Sequence, residues 1–206
     1  IPFYFFSFYY LIMQYEEIIR EITERNPQIL QYQFCCYKGG LSSDMESRFP
    51  TRLFIVDREE IKRGFVKGLE VRYFSPNDEI MGLTSLVTTD GAVFHLNMID
   101  FLCGKSEDEL NEVRDTLTSL RMGTGFVMDS GNSYHYVGIN LQSELEFLRL
   151  LEKLPTYHNI GSAWPFYQKR NNFSVLRVTA CPSWGKQEPV LVERFENPQI
   201  YLPFAE

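Results

Sequence analysis

Short apolar runs rich in β-branched and aromatic residues recur along the second half of this chain, and turn chemistry interrupts them at regular points. Leu83 to Thr88 and Ala92 to Phe101 flank Thr89-Asp90-Gly91, where Asp-Gly is a strong hairpin signal because both residues tolerate positive φ. Gly123 to Asp129 and Ser133 to Ile139 flank Ser130-Gly131-Asn132 in the same way. Between the hairpins, Ser106 to Leu120 places Leu110, Val113, Leu117 and Leu120 at helical spacing behind a Ser cap and an acidic first turn. Ser143 to Leu154 repeats the pattern, with Leu145, Phe147, Leu148 and Leu151 expected inward. Phe173 to Thr179 and Val190 to Phe195 add two strands. The order hairpin, helix, hairpin, helix, strand, strand predicts an α+β fold, an antiparallel sheet with helices packed on one face.

The first 80 residues read as a smaller α/β lobe. Gln14 to Arg25 sets Tyr15, Ile18, Ile19 and Ile22 on one helix face, and Asn26-Pro27 stops it. Ile29 to Tyr37 reads as a strand ending at Lys38-Gly39-Gly40, and Arg52 to Asp57 as another. A short charged helix over Asp57 to Lys67 and a strand over Leu69 to Phe74 follow, before the turn Ser75-Pro76-Asn77-Asp78. That turn places a lobe boundary near residue 80, giving lobes 1–80 and 81–206; one compact unit is the alternative.

Composition restricts the classes open to such a chain. With 44% apolar and 23% charged residues it is an ordinary globular protein with a sizeable core. Cys35, Cys36, Cys103 and Cys181 show neither C-x-x-C pairs nor zinc spacing, so they are expected as reduced, mostly buried thiols in a cytoplasmic protein. The aromatic stretch Ile1 to Met13 is shorter than the roughly 20 residues of a spanning helix and lacks a basic leader. It is expected as a buried strand or a protein contact, with no membrane involvement. The net charge of −7 opposes non-specific binding to nucleic acid, so any phosphate site has to be built locally.

One segment carries candidate chemistry. Along Asp129-Ser130-Gly131-Asn132-Ser133-Tyr134-His135-Tyr136, strand alternation sends Ser133 and His135 to one side and Tyr134 and Tyr136 to the other. A hydroxyl, an imidazole and the N–H groups of a Gly turn suit an anionic oxygen. The same pattern also fits a surface hairpin with an ordinary half-buried histidine. His95 reads as a core histidine and His158 as solvent-exposed. Lys169-Arg170-Asn171-Asn172, behind Trp164-Pro165-Phe166-Tyr167, is expected as a turn with solvated charges. No G-x-x-x-x-G-K-[ST] loop and no G-x-S-x-G elbow occurs.

Ser130-Gly131-x-x-Tyr134-His135 resembles the segment of archaeo-eukaryotic primases and primase-polymerases in which a Ser-Gly turn leads into Ser-x-His on a strand. The strand Val93 to Phe101 falls where those primases carry two acids one residue apart; here Asp100 is acidic and Met98 takes the first acid's place. Phe173 to Thr179, followed by Pro189-Val190-Leu191-Val192, is similar to a closing strand pair of primase-like proteins. The resemblance spans roughly residues 80 to 195 and implies an RRM-like, primase-type sheet.

It further implies a domain that binds a nucleoside triphosphate or nucleic-acid phosphates through Ser130, Gly131, Ser133, His135 and Arg177. Asp100 would be the catalytic residue and the ligand for Mg2+ or Mn2+ in a nucleotidyltransferase of DNA replication. Two-metal transfer needs several carboxylates. Either Asp57, Asp90 or Asp129 completes the set, or the domain binds with weak or absent catalysis. An interaction or structural module of a larger assembly, meeting a protein partner through its aromatic N-terminal segment, is the alternative function.

Overall fold

The computed structural model describes residues 15–38, 50–64, 79–180, 185 and 187–197. The N-terminal aromatic stretch, the Gly39-Gly40 turn, the expected strand Leu69 to Phe74 with the turn after it, and Cys181 lie outside the described residues.

Among the described residues, eight strands form one antiparallel sheet. In chain order the elements are α1 (residues 15–25), β1 (Ile29–Lys38), β2 (Arg52–Asp57), α2 (Arg58–Lys62), β3 (Glu79–Thr89), β4 (Val93–Asp100), α3 (Glu107–Ser119), β5 (Gly125–Asp129), β6 (Tyr134–Gln142), α4 (Glu144–Lys153), α5 (Ala163–Asn171), β7 (Val175–Arg177) and β8 (Val190–Phe195). The sheet runs β2-β1-β3-β4-β6-β5-β8, with β7 on β3. The fold is α+β, as the order of hairpins and helices predicts. β1 and β2, which precede residue 80, belong to the same sheet as the strands that follow it.

Turn chemistry places the two hairpins where the sequence puts them. Gly91 has φ +85° between β3 and β4, and Gly131 has φ +103° between β5 and β6, conformations in which a Cβ is strained. Asp129 Oδ1 accepts from Gly131 N–H at 2.7 Å, tightening the second turn. Ser106 with Glu109, and Ser143 with Glu146, form reciprocal capping boxes that start α3 and α4.

Both faces of the sheet are covered. Tyr15, Ile18, Ile19 and Ile22 of α1 pack with Phe34, Val56, Met98, Met128 and Val137 in one apolar cluster. Ile99, Val127, Tyr134 and Tyr136 face the opposite side, against Leu110, Val113 and Leu117 of α3 and Phe147, Leu150 and Leu151 of α4. Helices α3 and α4 thus share one face, and α1 lies on the other, while Trp164 of α5 packs against both clusters. In α4 the inward stripe is Phe147, Leu150, Leu151 and Leu154, while Leu145 points outward. Rotation of 100° per residue carries Leu145 away from a face centred on Phe147 and Leu151. The expected turn at Lys169-Arg170 is instead the last part of α5, ended by Asn172 in the left-handed region. Pro165 is accommodated because the first-turn N–H groups of a helix need no helical partner. No described helix is long and apolar enough to cross a membrane.

β3 and β4 pair only through Leu86–His95, Val87–Phe94 and Thr88–Val93. Beyond that they diverge, β4 continuing along β6 and β3 along β7 through Gly82–Arg177, Leu83–Leu176 and Thr84–Val175. A buried polar chain crosses the split. Ser174 N–H donates to Ser85 Oγ at 2.9 Å, Ser85 Oγ lies 3.0 Å from His95 Nδ1, and His95 Nε2 lies 2.9 Å from Glu144 Oε2. With Glu144 ionised, Nε2 carries the proton and Ser85 donates to Nδ1, so every group is satisfied by a neutral imidazole. The His95 ring stacks on Phe147 at 4.0 Å.

Burial holds the His95 pKa below its ordinary 6.5, outweighing the opposing effect of Glu144. Above pH 6.5 neither state is charged and the network's contribution is complete. As pH falls through 6.5 toward the lower folded-state value, the unfolded chain takes up the proton first and stability declines. The stability advantage of wild type over His95→Gln should therefore shrink between pH 7.5 and pH 5 in denaturant titrations. A constant advantage across that range would show that His95 titrates alike in both states.

Candidate functional site

β4 and β6 lie in register with Asp100 opposite His135, and both side chains take the face covered by α1. Met98 and Val137, two residues before and after, occupy that same face and are buried in its apolar cluster. Met98 at the position of a first acid is therefore core. His135 Nε2 lies 3.4 Å from Asp100 Oδ1, an ion-pair distance longer than a well-formed hydrogen bond. His135 is 5% exposed, whereas the Asp100 side chain is 38% exposed.

The other ring nitrogen, His135 Nδ1, is buried and has no hydrogen-bond partner among the described residues. A buried polar atom left unpaired costs roughly 1–3 kcal/mol, so it marks a place where a partner is due. The Tyr15 hydroxyl is a second such atom, in the first turn of α1. Its pKa is raised by burial, which outweighs a lowering by Arg177 and adds to a further rise from Asp100, so it lies within the field of both charges. Sequence reading assigns Tyr15 only to the buried stripe of α1; helical periodicity says where a residue points and nothing about its hydroxyl.

Arg177 comes in from β7, buried, and spends its guanidinium on backbone. Nη2 donates to Ser130 O at 2.5 Å, and Nη1 donates to Gln187 O at 2.7 Å and to Thr179 O. It thereby joins the end of β7 and the chain entering β8 to the hairpin that carries His135. Ser133 is likewise committed to the scaffold. Its hydroxyl donates to Phe101 O at 2.7 Å and accepts from Cys103 N–H at 3.1 Å. Ser130 directs both its N–H and its hydroxyl to Ser133 O, and Gly131 N–H goes to Asp129. The structure thus brings Asp100, His135 and Arg177 to one region. Ser130, Gly131 and Ser133 shape the turn, with these donors directed into the protein.

The remaining acids stand elsewhere. Asp129 is held by Gly131 N–H and by Lys105 Nζ at 2.9 Å, and Asp57 accepts from Gln31. Asp90 is exposed at the tip of the first hairpin. Glu188, buried beside Gln187, is a carboxylate that the sequence reading passes over; its position before Pro189 carries no strand alternation to place it. Among the described residues no three His, Cys, Asp or Glu side chains converge on a point. Asp100 with His135 does not make a two-ion centre, for which several carboxylates are required.

Replacing Arg177 by Met leaves the carbonyl oxygens of Ser130, Thr179 and Gln187 without a charged donor, the first two in buried contacts, and unfolding free energy should fall by about 2 kcal/mol in a denaturant titration. Loss of phosphate binding at unchanged stability would instead make Arg177 a direct ligand.

Residues 67–189, more than half of the chain, match the family model described as AEP-like, archaeo-eukaryotic primase 1D-like. No curated protein and no solved structure matches the chain. The matched segment contains the paired strands of Asp100 and His135, the Ser130 hairpin and Arg177. The chain belongs to the AEP-like, archaeo-eukaryotic primase 1D-like family.

Proposed function

We propose that this primase-like domain binds the phosphate chain of a nucleoside triphosphate or of a nucleic-acid end at His135 and Asp100, with weak or absent nucleotidyl transfer. The observation that carries the reading is the buried, unpartnered Nδ1 of His135, on a ring whose Nε2 faces Asp100. With Asp100 ionised, the imidazole presents Nδ1 to a ligand, and an anionic oxygen there favours the doubly protonated ring, which donates on both sides. Asp100, the exposed member of the pair, is one carboxylate of the kind that holds Mg2+ or Mn2+ together with substrate phosphates. The weak-transfer part of the reading rests on Met98, which puts a buried thioether where a second acid would stand.

Exposed Leu53 and Ile55 on edge strand β2 favour a second reading, a protein contact through that edge. It predicts no nucleotide binding and leaves the orphaned Nδ1 unexplained.

Calorimetric titration of ATP with Mg2+ or Mn2+ separates the two. His135→Ala should weaken ATP binding about ten- to hundredfold, the equivalent of roughly 1.5–3 kcal/mol for a charge-assisted bond. The loss should be alike for all four bases and grow from mono- to triphosphate, because the contact is to phosphate. Unchanged affinity with a large fall in thermal midpoint would make His135 structural and end the nucleotide reading. Extension of a primed template should be weak or absent; robust extension abolished by Asp100→Ala would overturn the low-activity assignment.

A further inference from the structure

Two fully buried tyrosines elsewhere in the sheet, Tyr32 and Tyr136, have partners for their hydroxyls. Tyr32 Oη lies 2.8 Å from Thr23 Oγ1, and Tyr136 Oη donates to Gly123 O at 2.9 Å. Tyr15 is 4% exposed and its Oη has none among the described residues. Its ring belongs to the apolar stripe of α1, for which a phenylalanine would serve equally. The hydroxyl is the part that packing does not account for.

Its location gives it a use. The stripe lies on the sheet face that holds Met98, Met128 and Val137, and these residues flank Asp100 and His135 along and across the strands. Tyr15 Oη and His135 Nδ1 are thus two buried polar atoms without partners on one face, with the Asp100 carboxylate and the Arg177 guanidinium near enough to act on the phenol. Burial keeps that phenol protonated at neutral pH, so toward an anion it is a donor.

We infer that the Tyr15 hydroxyl is a second ligand-contacting group of this centre, donating to an oxygen of the phosphate chain that His135 binds. The inference rests on the phosphate-binding reading above and extends it beyond residues 67–189, since α1 precedes the segment matched to the family. The N-terminal helix then completes the binding centre as well as covering the sheet.

The test compares wild type, Tyr15→Phe and His135→Ala as full chains, titrated in the presence of Mg2+ with ATP, with inorganic tripolyphosphate and with adenosine, each with a thermal midpoint. Tyr15→Phe keeps the ring and should hold or raise the midpoint, while weakening ATP and tripolyphosphate about five- to tenfold and by the same factor. Unchanged affinity in Tyr15→Phe beside a weakened His135→Ala would overturn the inference and leave the phosphate site standing. A weakened response to ATP or adenosine with tripolyphosphate unaffected would place the hydroxyl on the nucleoside and overturn the phosphate contact. A Tyr15→Phe chain that melts several degrees earlier yet binds as wild type would make the hydroxyl structural. Absence of binding of either phosphate ligand to wild type would remove both readings together.

Discussion

The split between β3 and β4 is the constraint on which the rest of this molecule depends. Two strands that part inside a sheet expose backbone N–H and C=O groups on both inner edges, and buried groups of that kind have to be paired. β7 takes up the β3 edge that faces the split, while β6 pairs along the opposite edge of β4. Close approach of β7 requires Gly82. A Cβ there would sit 2.5 Å from Val175 Cγ1, with Tyr37 and Cys35 at 3.2 and 3.3 Å, so a larger residue would push β7 away. Gly82 is also the register partner of Arg177, so the same close contact sets how far that guanidinium reaches toward the Ser130 hairpin.

Two histidines near this split show how chemistry separates scaffold from site. His95 is fully buried, has a partner on each ring nitrogen and stacks on an aromatic ring; nothing about it asks for a ligand. His135 is almost as buried, yet one nitrogen meets a carboxylate at 3.4 Å and the other has no hydrogen-bond partner among the described residues. Burial is shared by both and therefore does not distinguish them. The hydrogen-bond inventory does, because an unpaired atom in a low-dielectric setting persists only if the rest of the structure holds it there.

Much of the sheet was legible from residue patterning, and the failures have physical causes. β2 and β8 have the bounds that their apolar runs indicate, and both hairpins sit at Gly-containing turns. The α5 helix escaped because Trp164-Pro165-Phe166-Tyr167 has no helical stripe and a proline usually ends a helix; its buried residues are Pro165 and Gln168. At the centre, alternation correctly placed His135 away from Tyr134 and Tyr136, and the register brought Asp100 opposite it. Alternation does not say whether a hydroxyl will be used by its own backbone. Ser133 is consumed by Phe101 and Cys103, a contact over some thirty residues that no local pattern encodes. The resemblance singles out Arg177 for phosphate, but it says nothing of the carbonyls at Ser130, Thr179 and Gln187 that accept from its guanidinium and that any sequence would supply. Glu144, the partner of His95, lies 49 positions away and is equally silent in sequence.

Exposure around the centre sets its electrostatics. Tyr15, His135 and Arg177 are each about 5% exposed or less, and Asp100 is the member that meets solvent. On the proposed reading, a phosphate chain would come to the neutral and cationic groups past a carboxylate, on a chain whose net charge is −7. At 4 Å two like unit charges repel by about 4 kcal/mol at an effective dielectric of 20, more than a single charge-assisted hydrogen bond returns. Phosphate binding by these residues then requires the carboxylate's charge to be offset, by a proton shared with the imidazole or by a cation held between carboxylate and phosphate. Either arrangement makes affinity depend on what accompanies the anion. On the proposed reading, these residues would select phosphate delivered with a counter-charge, and the net charge of −7 acts in the same sense against bare polyanions.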